Sequence, residues 1–172
     1  MNDIKLSVLS ENSHYVESCI EHIFLAKVLT ALWQRNHLKK LQISSSEIDD
    51  FGYDVILTLG TVTRHIQLKQ SHSEAKASFV KVNSLLGNVP SGCVIWVFFT
   101  LNTLDISHYL FFGGEPGESI ELSGFASATH TKRDATGKQS IRPAIRKIPK
   151  SKFTPINSTD ELIDELFREQ AD

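Results

Sequence analysis

The chain is poor in the residues that define several special classes of protein. It has 172 residues but only two cysteines, one methionine, five prolines and nine glycines. So little Gly and Pro excludes a collagen-like or low-complexity chain, and 41% hydrophobic content excludes a wholly disordered one. The longest apolar run, Cys93 to Phe99, is far too short to span a bilayer as a helix. Met1 to Lys5 shows no basic-then-apolar signal sequence. Cys19 and Cys93 both lie in apolar segments and match neither a disulfide framework nor a zinc-ligand spacing. Reduced, buried thiols in a cytoplasmic protein without a membrane partner are the expectation.

The net charge is small, −2 from 18 Lys/Arg and 20 Asp/Glu, but the charge is unevenly spread. Between His130 and Lys152 stand eight Lys/Arg against a single acid, Asp134, a net +7 that leaves −9 for the remainder. Such a block is either an electrostatic footprint for a polyanion or a solvated loop. On the first reading Lys132, Arg133, Arg142, Arg146 and Lys147 are the candidate phosphate contacts.

The apolar periodicity predicts an α/β chain. Ser13 to Arg35 carries Val16, Ile20, Phe24, Val28 and Leu32 at helical spacing, with Ser13 as N-cap. Leu41 to Glu47 reads as a strand. Tyr53 to Leu59 and Val62 to Gln70 read as two strands joined by Gly60-Thr61, a pair suited to a type II′ turn. Ser73 to Leu86 places Ala75, Phe79, Val82 and Leu86 on one helical stripe. Cys93 to Thr100 is apolar throughout, as a strand buried on both sides must be. His108 to Phe112 is a further strand, 130–152 is read as irregular, and Ser158-Thr159-Asp160-Glu161 opens a last helix (158–169) with a capping box. Trp33 and Trp96 are expected in the core. No domain boundary is evident, so a single domain with a core over 13–112 is expected.

The turn places Asp54 opposite Gln67, Ile56 opposite His65 and Leu57 opposite Arg64. Strand alternation then gathers Asp54, Gln67 and Lys69 on one face, while Val55, Leu57, Leu59, Ile66 and Leu68 supply the other. A carboxylate, a carboxamide and an ammonium clustered on a covered sheet suggest chemistry rather than packing. His65 shares that face, yet a plain hydrogen-bonded or exposed histidine is the expectation for it. Gln70 and Ser71, next to Lys69, are minor positioning candidates.

A first helix bearing Glu, then Gly52-Tyr53-Asp54 opening a strand and Gln67-Leu68-Lys69 on its partner, resembles the PD-(D/E)xK nuclease superfamily. Within it the pattern is most similar to the Mrr-like branch, in which the motif's Glu is often Gln. The resemblance covers roughly the first 100 residues. It implies the restriction-endonuclease-like fold: an αβββαβ core with a mixed central sheet flanked by helices. By resemblance Asp54 and Glu21 are metal ligands, Gln67 stands at the acidic motif position, and Lys69 is the catalytic lysine. Glu17, one turn earlier, is the weaker alternative to Glu21. Tyr53 replaces the motif's Pro, and Gln67 is neutral. Two charged ligands imply a single Mg²⁺ or Mn²⁺ rather than a pair, with Glu47, Asp49 or Asp50 as further donors if their turn folds over the site.

The expected activity is metal-dependent phosphodiester hydrolysis of DNA, in restriction of foreign DNA or in repair, with a homodimer expected from the resemblance alone. Two other readings stand beside it. One is a nuclease-like fold that has lost catalysis and binds nucleic acid or a protein; the other is an unrelated α/β domain with a structural polar hairpin.

Overall fold

The computed structural model describes residues 11–35, 40–45, 51–133 and 139–168, with the backbone alone for 130–133 and 139. Helix α1 spans Ser13–Gln34 and begins from Asn12. Its stripe of Ile20, Phe24, Val28, Ala31 and Leu32 is buried, as the periodicity predicts. Trp33 is 83% exposed, because it falls one position past the last buried pair of that stripe. At the helix end Arg35 donates to Asp160 at 2.8 Å and to Asp164 at 2.7 Å. Both acids belong to the second helix, α2 (Thr159–Phe167). That helix starts as its sequence predicts: Ser158 Oγ accepts from Glu161 N–H, and Glu161 Oε2 accepts from Asn157 N–H.

Six strands form a mixed sheet in the order β1-β2-β3-β5-β6-β9. These are β1 (Leu41–Ser45), β2 (Val55–Leu59), β3 (Val62–His72), β5 (Gly92–Phe99), β6 (Ile106–Gly113) and β9 (Thr154–Ile156). Every adjacent pair is antiparallel except β3 and β5. The β2–β3 register pairs Ile56 with His65 and Leu57 with Arg64, as predicted. Gly60 sits at φ +60° while Thr61 keeps an ordinary φ, the pattern a type II′ turn requires.

Besides the placing of Trp33 in the core, two readings are corrected. Ser73 to Leu86 forms no α-helix: Phe79–Asn83 is a strand, β4, followed by a 3₁₀ turn over Ser84–Asn88. The helical spacing of Phe79, Val82 and Leu86 coincides there with a two-residue alternation. Val80 and Val82 go inward, Phe79 and Lys81 outward, and Asn83 Oδ1 caps the turn by accepting from Leu85 N–H. The basic stretch is not an irregular loop either. It supplies β7 (Ser127–Arg133) and β8 (Gln139–Pro149), which with β4 make a second sheet in the order β4-β8-β7.

Among the described residues, the central sheet is therefore covered by helices on one face and by the second sheet on the other. Against α1 and α2 pack Val55, Leu57, Ile66, Cys93, Ile95, Val97, Tyr109 and Phe111. On the opposite face Val94, Trp96, Phe98 and Leu110 pack against Val80, Val82 and Ile148 of the second sheet. All eight residues of β5 are buried, alternate ones in each core. Arg64 is also fully buried, and it donates to the carbonyls of Leu166 (2.7 Å), Gly114 (2.9 Å) and Glu165 (3.2 Å). It thereby satisfies carbonyls that the C-terminal end of α2 would otherwise leave unpaired. Burial pulls this guanidinium below its ordinary pKa.

Candidate functional site

The site arises from a mismatch in strand length. β2 starts at Val55, opposite Ile66, whereas β3 runs on to His72. Along that overhang β3 has no ladder partner from β2, and a cleft of about 700 Å³ opens beside it. Helix α1 contributes Glu17, Ile20 and Glu21 to its lining, β3 contributes Leu68, Lys69 and Gln70, and β4 contributes Phe79, Val80 and Lys81. Asp54, Ser45 and Val97 complete the wall.

Asp54 is held at the mouth of the hairpin by a local irregularity. Its N–H donates to the Ile66 carbonyl at 2.8 Å, although Ile66 already faces Val55 in the ladder. Two successive residues thus address one partner, as in a bulge, and Asp54 does not reach the position opposite Gln67 that regular pairing predicts. Its carboxylate turns along β3 instead, and Oδ2 accepts the Leu68 N–H at 2.7 Å. A side-chain oxygen here replaces a strand carbonyl and satisfies an amide that the short β2 leaves without a ladder partner.

Glu21 reaches the same cleft from α1. Burial, and then the neighbouring Asp54 carboxylate, raise its carboxyl above the ordinary value of 4.5, against a smaller lowering by His22. The two acids therefore lie within electrostatic reach of each other. Lys69 enters from β3, and Glu17 lines the cleft one helical turn before Glu21.

Gln67 is placed differently. It is only 4% exposed, and its Oε1 accepts the Asn83 N–H at 3.1 Å beneath the end of β4. It is not among the cleft-lining residues described. Among its neighbours, Gln70 lines the cleft, while Ser71 Oγ accepts from Trp96 Nε1 at 3.0 Å. His65 is an ordinary hydrogen-bonded side chain, with Nδ1 2.8 Å from the Pro90 carbonyl oxygen and its ring 4.9 Å from that of Tyr53. Glu47, Asp49 and Asp50 lie outside the described residues.

Lys81 lines the cleft and was not foreseen, since a helical reading of Ser73 to Leu86 gives it no fixed direction. Its signal was the alternation Val80-Lys81-Val82. Of the basic candidates, Arg142 is exposed on β8 and Lys147 is half-buried. The Lys147 ammonium lies 5.3 Å from the Phe79 ring centre. Arg146 is more committed: its Nη1 donates to Ser127 Oγ at 2.8 Å and to the Phe125 carbonyl at 3.3 Å. The backbone of Lys132 and Arg133 is in β7, while their side chains lie outside the described residues.

Among the described residues no group of three or more His, Cys, Asp or Glu is arranged to enclose a metal ion, and no helix is long and apolar enough to cross a membrane. The carboxylate pair nevertheless suits one hard cation. Both carboxylates are oxygen donors, and a positive charge between them would offset the Asp54 repulsion that, after burial, raises Glu21. Comparison with family models, with curated proteins and with solved structures finds no match, so the reading of this cleft rests on its own residues.

Proposed function

We propose that the protein is a metal-dependent DNA endonuclease of the PD-(D/E)xK type. The observation that carries this is the arrival of Glu21 from α1, Asp54 from the start of β2 and Lys69 from β3 at one cleft. The strand order β1-β2-β3-β5, with β3 and β5 parallel, supports a restriction-endonuclease-like core in which β4 and a 3₁₀ turn take the place of the expected crossover helix.

Asp54 and Glu21 would hold a single Mg²⁺ or Mn²⁺, with Glu17 within the same wall. The ion, when bound, supplies a Lewis acid for the phosphate and lowers the pKa of a bound water. Asp54 is a fixed ligand because its carboxylate is already oriented by the Leu68 N–H. Glu21 must lose its proton to bind, and its raised pKa sets the acid limit of activity. Lys69 orients the attacking water and offsets charge developing on the phosphate oxygens. Cutting both strands of a duplex would bring two such clefts together, as in a homodimer.

A second reading is favoured by one contact. Gln67, the residue at the acidic motif position, gives its carboxamide oxygen to Asn83. A site so depleted of anionic ligands suits a fold that binds DNA without cutting it. Plasmid nicking with Mg²⁺ or Mn²⁺, by the wild type and Asp54→Ala, separates the two. Metal-dependent nicking lost in the variant supports the nuclease. DNA binding in EDTA without nicking in any metal supports the second reading.

A further inference from the structure

The outer face of the second sheet carries a conflict that packing does not require. Lys81 of β4 and Lys147 of β8 are direct cross-strand partners, so both ammonium groups leave the same side of the sheet. Like charges in that relation destabilise a strand pair. A breach of local consistency of this kind is expected where a site must meet a ligand. An anion between them would turn the repulsion into attraction.

Phe79 stands two residues from Lys81 on the same face and is 39% exposed, with the Lys147 ammonium 5.3 Å from its ring centre. Phe79 is also shared by two cavities. One is the cleft of Asp54 and Lys69; the other is a groove of about 860 Å³ floored by Phe125 and Pro149 and flanked by Lys147 and Lys152. An acid also lines the groove: Glu121, whose carboxylate is held by the Ser123 N–H at 2.6 Å and stays ionised. Phe79 thus stands between a cleft lined by Lys69 and Lys81 and a groove lined by Lys147 and Lys152.

We infer that this face binds a single-stranded segment of DNA, with an unpaired base stacked on Phe79 and the adjoining phosphates on Lys81 and Lys147. An aromatic ring set among cations recognises a base whose π-face is free, and paired, stacked bases offer no such face. The inference deepens the proposed function: the preferred substrate is DNA with an unpaired strand beside the cleavage site, such as an overhang, flap or bubble.

The test is binding without metal, so that it does not depend on cleavage. A fluorescent single-stranded oligodeoxynucleotide and a blunt duplex of equal length are titrated in EDTA against the wild type, Phe79→Leu and Phe79→Trp. Phe79→Leu keeps an apolar side chain at a surface strand position and loses the stacking face. It should weaken single-strand binding roughly 5- to 100-fold and duplex binding by less than about 2-fold, with Phe79→Trp near wild type. Lys81→Glu with Lys147→Glu should weaken single-strand binding and flatten its salt dependence. Equal losses on both probes, no loss in Phe79→Leu, or no single-strand binding by the wild type would overturn the inference. Selective loss in a protein that nicks no plasmid would leave the stacking site standing and remove the nuclease reading alone.

Discussion

The Asp54 carboxylate accepts the Leu68 N–H at 2.7 Å, so the residue proposed to hold the cation also completes the hairpin. Its two duties can be separated. Asp54→Ala should lose metal-dependent cleavage and about 1–3 kcal/mol of stability, because the half-buried Leu68 amide loses its acceptor. Asp54→Asn keeps an acceptor oxygen while removing the charge, so it should melt near the wild type and still fail to cleave. Lys69→Ala should be inactive yet keep any Mg²⁺-dependent rise in Tm. Cleavage assays paired with thermal melts check all three, and an active Asp54→Asn would exclude Asp54 as an essential anionic ligand.

Gln67→Glu tests how far the buried carboxamide is from the cation. The new carboxylate can still accept from Asn83 N–H, but it must be buried where Gln67 is only 4% exposed. Burial raises the pKa of a carboxyl, so the variant should be less stable than wild type at neutral pH and recover in acid, where the group is protonated. If the cleft holds Mg²⁺ close to this position, added Mg²⁺ should return part of the loss at neutral pH. Melts with and without Mg²⁺ decide it: no metal-dependent gain would count against a cation within reach of residue 67.

The raised carboxyl of Glu21 makes a signed prediction. Its proton is held more tightly in the folded state than in the unfolded chain, through burial first and Asp54 second. The stability it contributes is therefore complete below the ordinary value of 4.5 and is lost as pH rises through the higher folded value. Glu21→Gln should melt above the wild type at neutral pH, and the gap should close in acid. Divalent cation should narrow the gap at neutral pH by stabilising the wild type alone. A gap that stays constant with pH would mean that Glu21 does not titrate against Asp54.

The basic strand divides into two kinds of residue. Arg142 is exposed, so Arg142→Glu should leave Tm within about 1 °C of wild type and act only on DNA affinity and its salt dependence. Arg146 holds Ser127 and Phe125, so Arg146→Ala should cost about 1–2 kcal/mol, a fall in Tm of roughly 2–8 °C for a chain of this size. Melting curves and salt-dependent binding isotherms of the two variants separate these roles.

The legibility of the sequence followed how local each determinant is. Gly60-Thr61 set the hairpin register because turn type and strand twist are coupled over a few residues. The apolar run around Trp96 announced a two-sided strand, because no other element buries every position in succession. Phe79, Val82 and Leu86 misled because a spacing of three and four satisfies a helix while the intervening lysine and asparagine satisfy a strand. Arg142 to Lys147 gave no strand signal, since half their pairing lies with β4, far away in sequence. Lys81 was hidden for the same reason. The position of Asp54 depended on a bulge that turn arithmetic cannot contain, and the partner of Gln67, Asn83, belongs to the misread segment.

Arg64 and β9 together carry a consequence for how the chain is made. The hairpin strand that carries Lys69 also carries Arg64, whose guanidinium donates, among the described residues, to the carbonyls of Gly114, Glu165 and Leu166. Beyond β6 the sheet is extended, among the described residues, by Thr154–Ile156. While a ribosome is still extending the chain towards these residues, β2, β3, β5 and β6 can associate with α1, but the buried guanidinium lacks its two α2 acceptors and the part of the sheet face that α2 covers stands open. Contacts so distant in sequence make folding slow and late, and the intervening species is open to aggregation. Nascent chains stalled before Thr154 should therefore be protease-sensitive throughout the hairpin, and a cleft assembled this way stays incomplete until synthesis has passed α2.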